Sequence, residues 1–280
     1  MAACSGTGSS AIRRGHPLFF FHGFPGSRLE ARLGEKAAAQ AHVRMIAPDR
    51  PGMGLSDFKK NRALLDWPAD VVELADALGI GRFAVAGVSG GGPYAAACAL
   101  KIPDRLSAAG IISGVGPFDA AIGLEQMSRQ NRLIIGLAGK APWSMLIVHW
   151  LMAQGVRRFA RQAVPMMIRA MPECDRALAR RPDIQAIMIE DAAEAFRSGA
   201  TGAAWEAVLH ARPWGFQLRD IRVPVHLWQG ELDTNVPVSM GRYQAGLIPD
   251  CHATFYPGEG HLCLLNHLPE MLADLTTPSA

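Results

Sequence analysis

Three residues of this chain are of the types that together make a weak nucleophile attack a carbonyl. They are Ser89 in Gly87-Val88-Ser89-Gly90-Gly91, Asp233 in Gly230-Glu231-Leu232-Asp233, and His261 in Gly258-Glu259-Gly260-His261. A serine hydroxyl is a poor nucleophile near neutral pH, so it needs an imidazole to take its proton and a carboxylate to orient that imidazole. The G-x-S-x-G spacing suits a sharp strand-to-helix turn that strains the serine backbone and brings strand and helix close together. Only small residues at the flanks, here Gly87 and Gly91, permit that approach. Attack on a carbonyl creates an oxyanion, and each backbone N–H aimed at it contributes typically about 3 to 4 kcal/mol. The amide of Gly90, next to the serine, is one expected donor. The second is expected from the loop His22-Gly23-Phe24-Pro25-Gly26, where Phe24 is the choice.

These residues need strands and turns to carry them. Short apolar segments at 18–21, 43–47, 83–88, 107–112, 225–228 and 253–256 are each close to continuously apolar, as expected of parallel strands covered on both faces. Helical patterns at 70–78 and 93–100 lie between them, and the rhythm is that of a doubly wound, mostly parallel α/β sheet. Ser27 with Glu30 three residues on reads as a capping box that opens a helix after the first strand. Ser89, Asp233 and His261 then each fall just beyond a strand, where the carboxyl edge of such a sheet presents side chains to a crevice.

Between 117 and 213 the strand signal disappears, and Met, Ala, Arg and Trp recur at helical spacing. This segment is read as a helical cap inserted into a core domain made of 1–116 and 214–280. Its Met145, Met152, Met166, Met167 and Met171, with Trp143 and Trp150, are expected to pack the insertion onto the core. Arg157, Arg158 and Arg161 are read as a solvated helix face, and Glu190, Asp191 and Glu194 likewise. Asp49 and Arg50 are expected to form an ion pair supporting the active-site loops. His22 is read as bracing its loop. His149, His210, His226 and His267 have no spacing that suggests a metal.

The 280 residues carry 28 Lys and Arg against 25 Asp and Glu, a formal charge of +3, which excludes a strongly basic nucleic-acid binder. A hydrophobic content of 49% provides for a sizeable core rather than a disordered chain. The five cysteines are odd in number and lack CxxC spacing, so neither a disulfide framework nor a zinc site is indicated. The small, polar residues 1–16 lack the apolar run of a secretory signal, and the most apolar later stretch, 133–152, is broken by glycines, a lysine and a proline. A cytoplasmic protein with no membrane partner, monomeric or homodimeric, is expected.

In order and spacing, HGFPGSR, DRPGMGLSD, GVSGGG, GELD and GEGH resemble the α/β-hydrolase fold superfamily over residues 17–116 and 220–275. The resemblance implies a serine hydrolase with Ser89 as nucleophile, Asp233 as acid, His261 as base, and Phe24 and Gly90 lining the oxyanion hole. It implies no metal or organic cofactor, and a cap that sits over the site. Its substrate is expected to be a small or medium apolar ester. An aminopeptidase resembling proline iminopeptidases, holding the substrate amine with cap carboxylates such as Glu190 and Glu194, is the alternative. A non-catalytic small-ligand-binding module is the alternative of another class. Epoxide hydrolases and dehalogenases of the superfamily are disfavoured because they place an aspartate where Ser89 stands. The family generally carries a two-strand hairpin before the HG motif, which is read as missing here, so the strand at 43–47 is expected to present an exposed edge.

Overall fold

Alternate residues of the apolar segments go to opposite faces of one sheet, as the two-residue period of a strand dictates. In β2 (His16–Phe21), Phe19 and Phe21 join one buried cluster with Trp67 and Tyr94, while Leu18 and Phe20 join a second with Leu268 and Met271. Each such side chain contributes roughly 1.5 to 3 kcal/mol by leaving water. The structure, a computed structural model, describes residues 3–5, 15–118, 122 and 124–276.

The remaining strands are β1 (Ala3–Ser5), β3 (Val43–Pro48), β4 (Phe83–Val88), β5 (Leu106–Ile112), β6 (Val225–Gly230) and β7 (Cys251–Tyr256). Their order across the sheet is β1-β3-β2-β4-β5-β6-β7. Strands β2 to β7 are parallel. Helices α1 (Glu35–Gln40) and α10 (Leu264–Thr276) cover one face, and α2 (Trp67–Ala77) and α3 (Gly92–Lys101) the other. Every residue of the central β4 is buried, whereas β7, at the edge, exposes His252 and Ala253 and departs from the two-sided cover expected of it. A further helix, α9 (Val238–Leu247), packs beside β6 and β7.

The expected bare edge of β3 is corrected by β1, which pairs antiparallel with its second half, Ala3 opposite Pro48 and Ser5 opposite Ile46. That pairing occupies part of the row of backbone groups an edge strand would leave open. It is the one strand before β2 among the described residues, in place of a two-strand hairpin. The capping box is also corrected. Ser27 accepts only from Leu29 N–H, Glu30 turns instead to the Gly23 N–H, and the segment Arg28–Gly34 is a 3₁₀ helix before α1 begins.

Between β5 and β6 the chain forms a helical insertion of α4 (Arg129–Lys140), α5 (Ser144–Arg169), α6 (Glu173–Ala179), α7 (Pro182–Ala195) and α8 (Thr201–Ala211). Met145 packs inside as expected, but Trp143, Trp150, Met166 and Met167 stand exposed. The reason is periodicity: Met145, His149 and Ala153 form the inward stripe of α5, and the two tryptophans lie on the other side. No described helix is long and apolar enough to cross a membrane.

Candidate functional site

Strand β4 ends at Val88, and the chain turns at once through Ser89–Gly91 into α3. Ser89 takes φ +52°, a left-handed conformation that costs a non-glycine residue of order 1 to 3 kcal/mol and persists only where the surroundings enforce it. A side chain at Gly87 would collide with the Gly91 carbonyl, and one at Gly91 with the Phe21 carbonyl, so both flanks must be glycine.

Asp233 follows β6 and His261 follows β7, and the two meet: His261 Nδ1 lies 2.7 Å from Asp233 Oδ2. The other carboxylate oxygen accepts the N–H groups of Asn235 at 2.8 Å and Val236 at 2.9 Å, which fixes the carboxylate from behind. Burial by itself would lower the pKa of His261, yet the charge and hydrogen bond of Asp233, with Asp175 and Glu30 adding, raise it above the ordinary 6.5. The segment after β5 ties serine and histidine together, since Val115 N–H donates to Ser89 O at 3.0 Å and Ser113 Oγ donates to His261 O at 3.2 Å. The Ser89 hydroxyl has no hydrogen bond to a described residue. Such contacts commonly tighten only once substrate is bound.

Phe24 and Gly90 abut: a Cβ built on Gly90 would lie 2.6 Å from Phe24 Cβ and 3.3 Å from Phe24 N. The Phe24 N–H donates to no described residue. The Gly90 N–H lies in the leading turn of its helix, where amides have no earlier carbonyl to bond. The Phe24 ring sits between two histidines of the insertion, His149 at 5.7 Å and His210 at 5.3 Å between centroids. Both histidines have lowered pKa values because of burial, His210 down to about 4, so both are neutral near pH 7. His210 Nε2 lies 3.1 Å from Gly90 O. His22 braces its own loop through Gly23 O and Arg50 N–H.

Asp49 and Arg50 support the site without pairing with each other. Asp49 takes Arg28 at 2.7 Å and the Leu55 N–H at 2.9 Å. Arg50 crosses to Glu206 of α8 at 2.7 Å and donates to the carbonyls of His22 and Gly23. Glu206 also holds Arg62 and Tyr94 Oη, so a fully buried carboxylate of the insertion is shared by three core side chains. Glu190, Asp191 and Glu194 of α7 are not a bare solvated face either. They clasp Arg32, Ser27 and Arg28 of the core respectively.

Asp175 and Glu206 are the residues that sequence reasoning missed. Asp175 of α6 accepts His261 N–H at 3.0 Å and Leu262 N–H at 2.8 Å, and is buried beneath the histidine loop. No local pattern marks either residue; a lone acid in a helix becomes informative only when its distant partner is known. Cys98, Cys174, Cys251 and Cys263 are unpaired. Among the described residues no cluster of three or more His, Cys, Asp or Glu is arranged to hold a metal.

The sequence profile of the alpha/beta hydrolase fold matches residues 16–268. No curated protein matches by sequence. Among solved structures, an alpha/beta hydrolase fold protein from Nakamurella multipartita superposes with a TM-score of 0.66 at 21% identity, covering 93% of this chain and 92% of that one. A thermophilic esterase from Thermogutta terrifontis gives 0.65 at 21% identity, with 93% and 88% covered. The esterase RhEst1 from Rhodococcus sp. ECU1013 gives 0.62 at 22%, with 94% and 92% covered.

Proposed function

The chain belongs to the alpha/beta hydrolase fold family, and on that premise we propose that it is a serine hydrolase cleaving carboxylic esters through an acyl-enzyme intermediate. The observation that carries this reading is the Asp233–His261 hydrogen bond, joined through Ser113 and Val115 to a serine held at positive φ on the strand-to-helix turn. Ser89 Oγ attacks the ester carbonyl while His261 Nε2 takes its proton, and Asp233 holds the Nδ1–H and stabilises the imidazolium. The N–H groups of Phe24 and Gly90 receive the oxyanion. His261 then protonates the departing alcohol, and a water activated by the same histidine releases the acid.

The apolar surroundings of Phe24 support an apolar substrate of modest size. Phe24 packs against the buried cluster of Met53 and Phe196, with Met152 and Val156 alongside. The esterases among the fold neighbours favour the same bond type. An aminopeptidase would need cap carboxylates free to hold an amine, and Glu190 and Glu194 are engaged by Arg32 and Arg28.

The test is intact mass after exposure to a fluorophosphonate, with peptide mapping and Ser89→Ala as control. One adduct on Ser89, absent from the variant, is the expected result and would be followed by a panel of esters, amides and thioesters. Folded protein that takes no adduct would replace this reading with the non-catalytic ligand-binding module.

A further inference from the structure

The outward side of α5 is left unexplained by the hydrolase site. Trp143, Leu146, Ile147, Trp150 and Leu151 recur at helical spacing on one stripe and are all exposed, Trp143 by 71% and Trp150 by 54%. Leu133 of the neighbouring α4 adds to the same kind of surface at 64%. Large apolar side chains gathered on one exposed face mark a surface with something to cover it. The stripe does not end in polar neutral residues. Carried on at the same spacing it reaches Arg157 and Arg158, and Arg161 follows the kink at Phe159; all three are exposed and none is ion-paired to a described residue.

Charge decides which occupant fits. Residues 127–172 contain seven Arg or Lys and not one Asp or Glu. Two copies of this face laid together would set like charges against each other, so a second copy of the chain is disfavoured. An anionic lipid surface meets both halves of the stripe: tryptophans and leucines sink to the level of the headgroups and upper acyl chains, while the guanidinium groups reach phosphates. The helix is not apolar enough to span, so it would lie in the interface plane.

We propose that this face of α4 and α5 seats the protein on the surface of an anionic phospholipid bilayer. The exposed stripe is on the other side of α5 from His149, which meets Phe24, and the readout is binding alone, so the proposal stands or falls separately from the esterase reading.

The experiment floats the full chain with vesicles of phosphatidylcholine alone and with vesicles that also contain phosphatidylglycerol. Binding to the anionic vesicles should be at least tenfold tighter and should weaken as salt is added. Replacing Arg157, Arg158 and Arg161 together by Gln should weaken it by about a hundredfold, from the free energy per juxtamembrane cation. Trp150→Asp and, separately, Leu146→Asp should each lower it at least tenfold. All five positions are exposed, and matching circular dichroism melts confirm folding. Brominated acyl chains should quench the parent and not Trp143→Phe combined with Trp150→Phe. No vesicle binding, equal binding to both vesicle types, or variants that bind like the parent would overturn the proposal. So would light scattering that shows a dimer which Trp150→Asp converts to monomer, an outcome that assigns the face to a second copy.

Discussion

At His261 burial and the Asp233 carboxylate pull the imidazole in opposite directions, and the carboxylate prevails. In the proposed mechanism His261 is the general base and works only when neutral, so a raised pKa moves the acid limb of the rate profile to higher pH. For an ester substrate, kcat/KM should therefore rise with pH along a limb centred above 6.5, the ordinary histidine value. Asp233→Asn removes the charge that raises the pKa and the acceptor that fixes the tautomer. It should move that limb down and reduce kcat by about ten-thousandfold. A limb that stays in place in Asp233→Asn would mean that another group sets it. The turn at Ser89 and the meeting of Asp233 with His261 were legible in the sequence, because a strand followed by glycine-rich punctuation marks each position locally. The Ser27–Glu30 capping box was misread for the opposite reason. Its local pattern was satisfactory, but Asp191 of the insertion took Ser27 and the Gly23 N–H took Glu30.

Two elements hold this constellation by contact rather than by composition. The elbow between β4 and α3 depends on Gly87, where an added methyl would meet backbone and not a flexible side chain. Gly87→Ala should cost at least about 1 to 3 kcal/mol and abolish fluorophosphonate labelling, read by thermal melts and mass spectrometry. Helix α6 grips the histidine loop through Asp175. Asp175→Ala would leave two N–H groups without their acceptor, at about 1 to 3 kcal/mol each where buried, and should lower both Tm and kcat. Asp175→Asn keeps an acceptor oxygen for one of the two N–H groups but removes a negative charge that raises the His261 pKa, so it should restore part of the Tm while shifting the acid limb down. If Asn and Ala shift that limb equally little, Asp175 serves the fold alone. Elements with a strong apolar period, such as β4 and α3, matched expectation closely, whereas β1 is three residues long and carries no period to read.

Across the molecule, the insertion is fastened to the core by buried charge. Burial would raise the Glu206 carboxyl, but Arg50 and Arg62 hold it far below the usual carboxylate range. Glu206→Ala would strand both guanidinium groups and should cost about 3 to 5 kcal/mol, read as a fall in Tm that Arg50→Ala in the same chain does not simply add to. His210 beside it carries a stability that depends on pH. Its folded pKa of about 4 lies below the ordinary 6.5, so the unfolded chain binds the extra proton between those values. Its contribution is therefore present above pH 6.5 and is lost as pH falls toward 4. Chemical denaturation at pH 7 and pH 4.5 should show that loss, and His210→Gln should reduce it.

The sequence by itself determined the parallel α/β sheet, the helical insertion and the positions of Ser89, Asp233 and His261, because each is written in a local period or a turn that neighbouring residues specify. Tertiary structure alone decided that Asp175 and Glu206 matter, that Asp49 and Arg50 take separate partners, and that Trp143 and Trp150 face outward. Partners such as Arg50 and Glu206 stand 156 positions apart, and no short-range pattern links residues at that separation. Which face of an amphipathic helix is covered depends on what folds against it, and α5 is apolar on both sides.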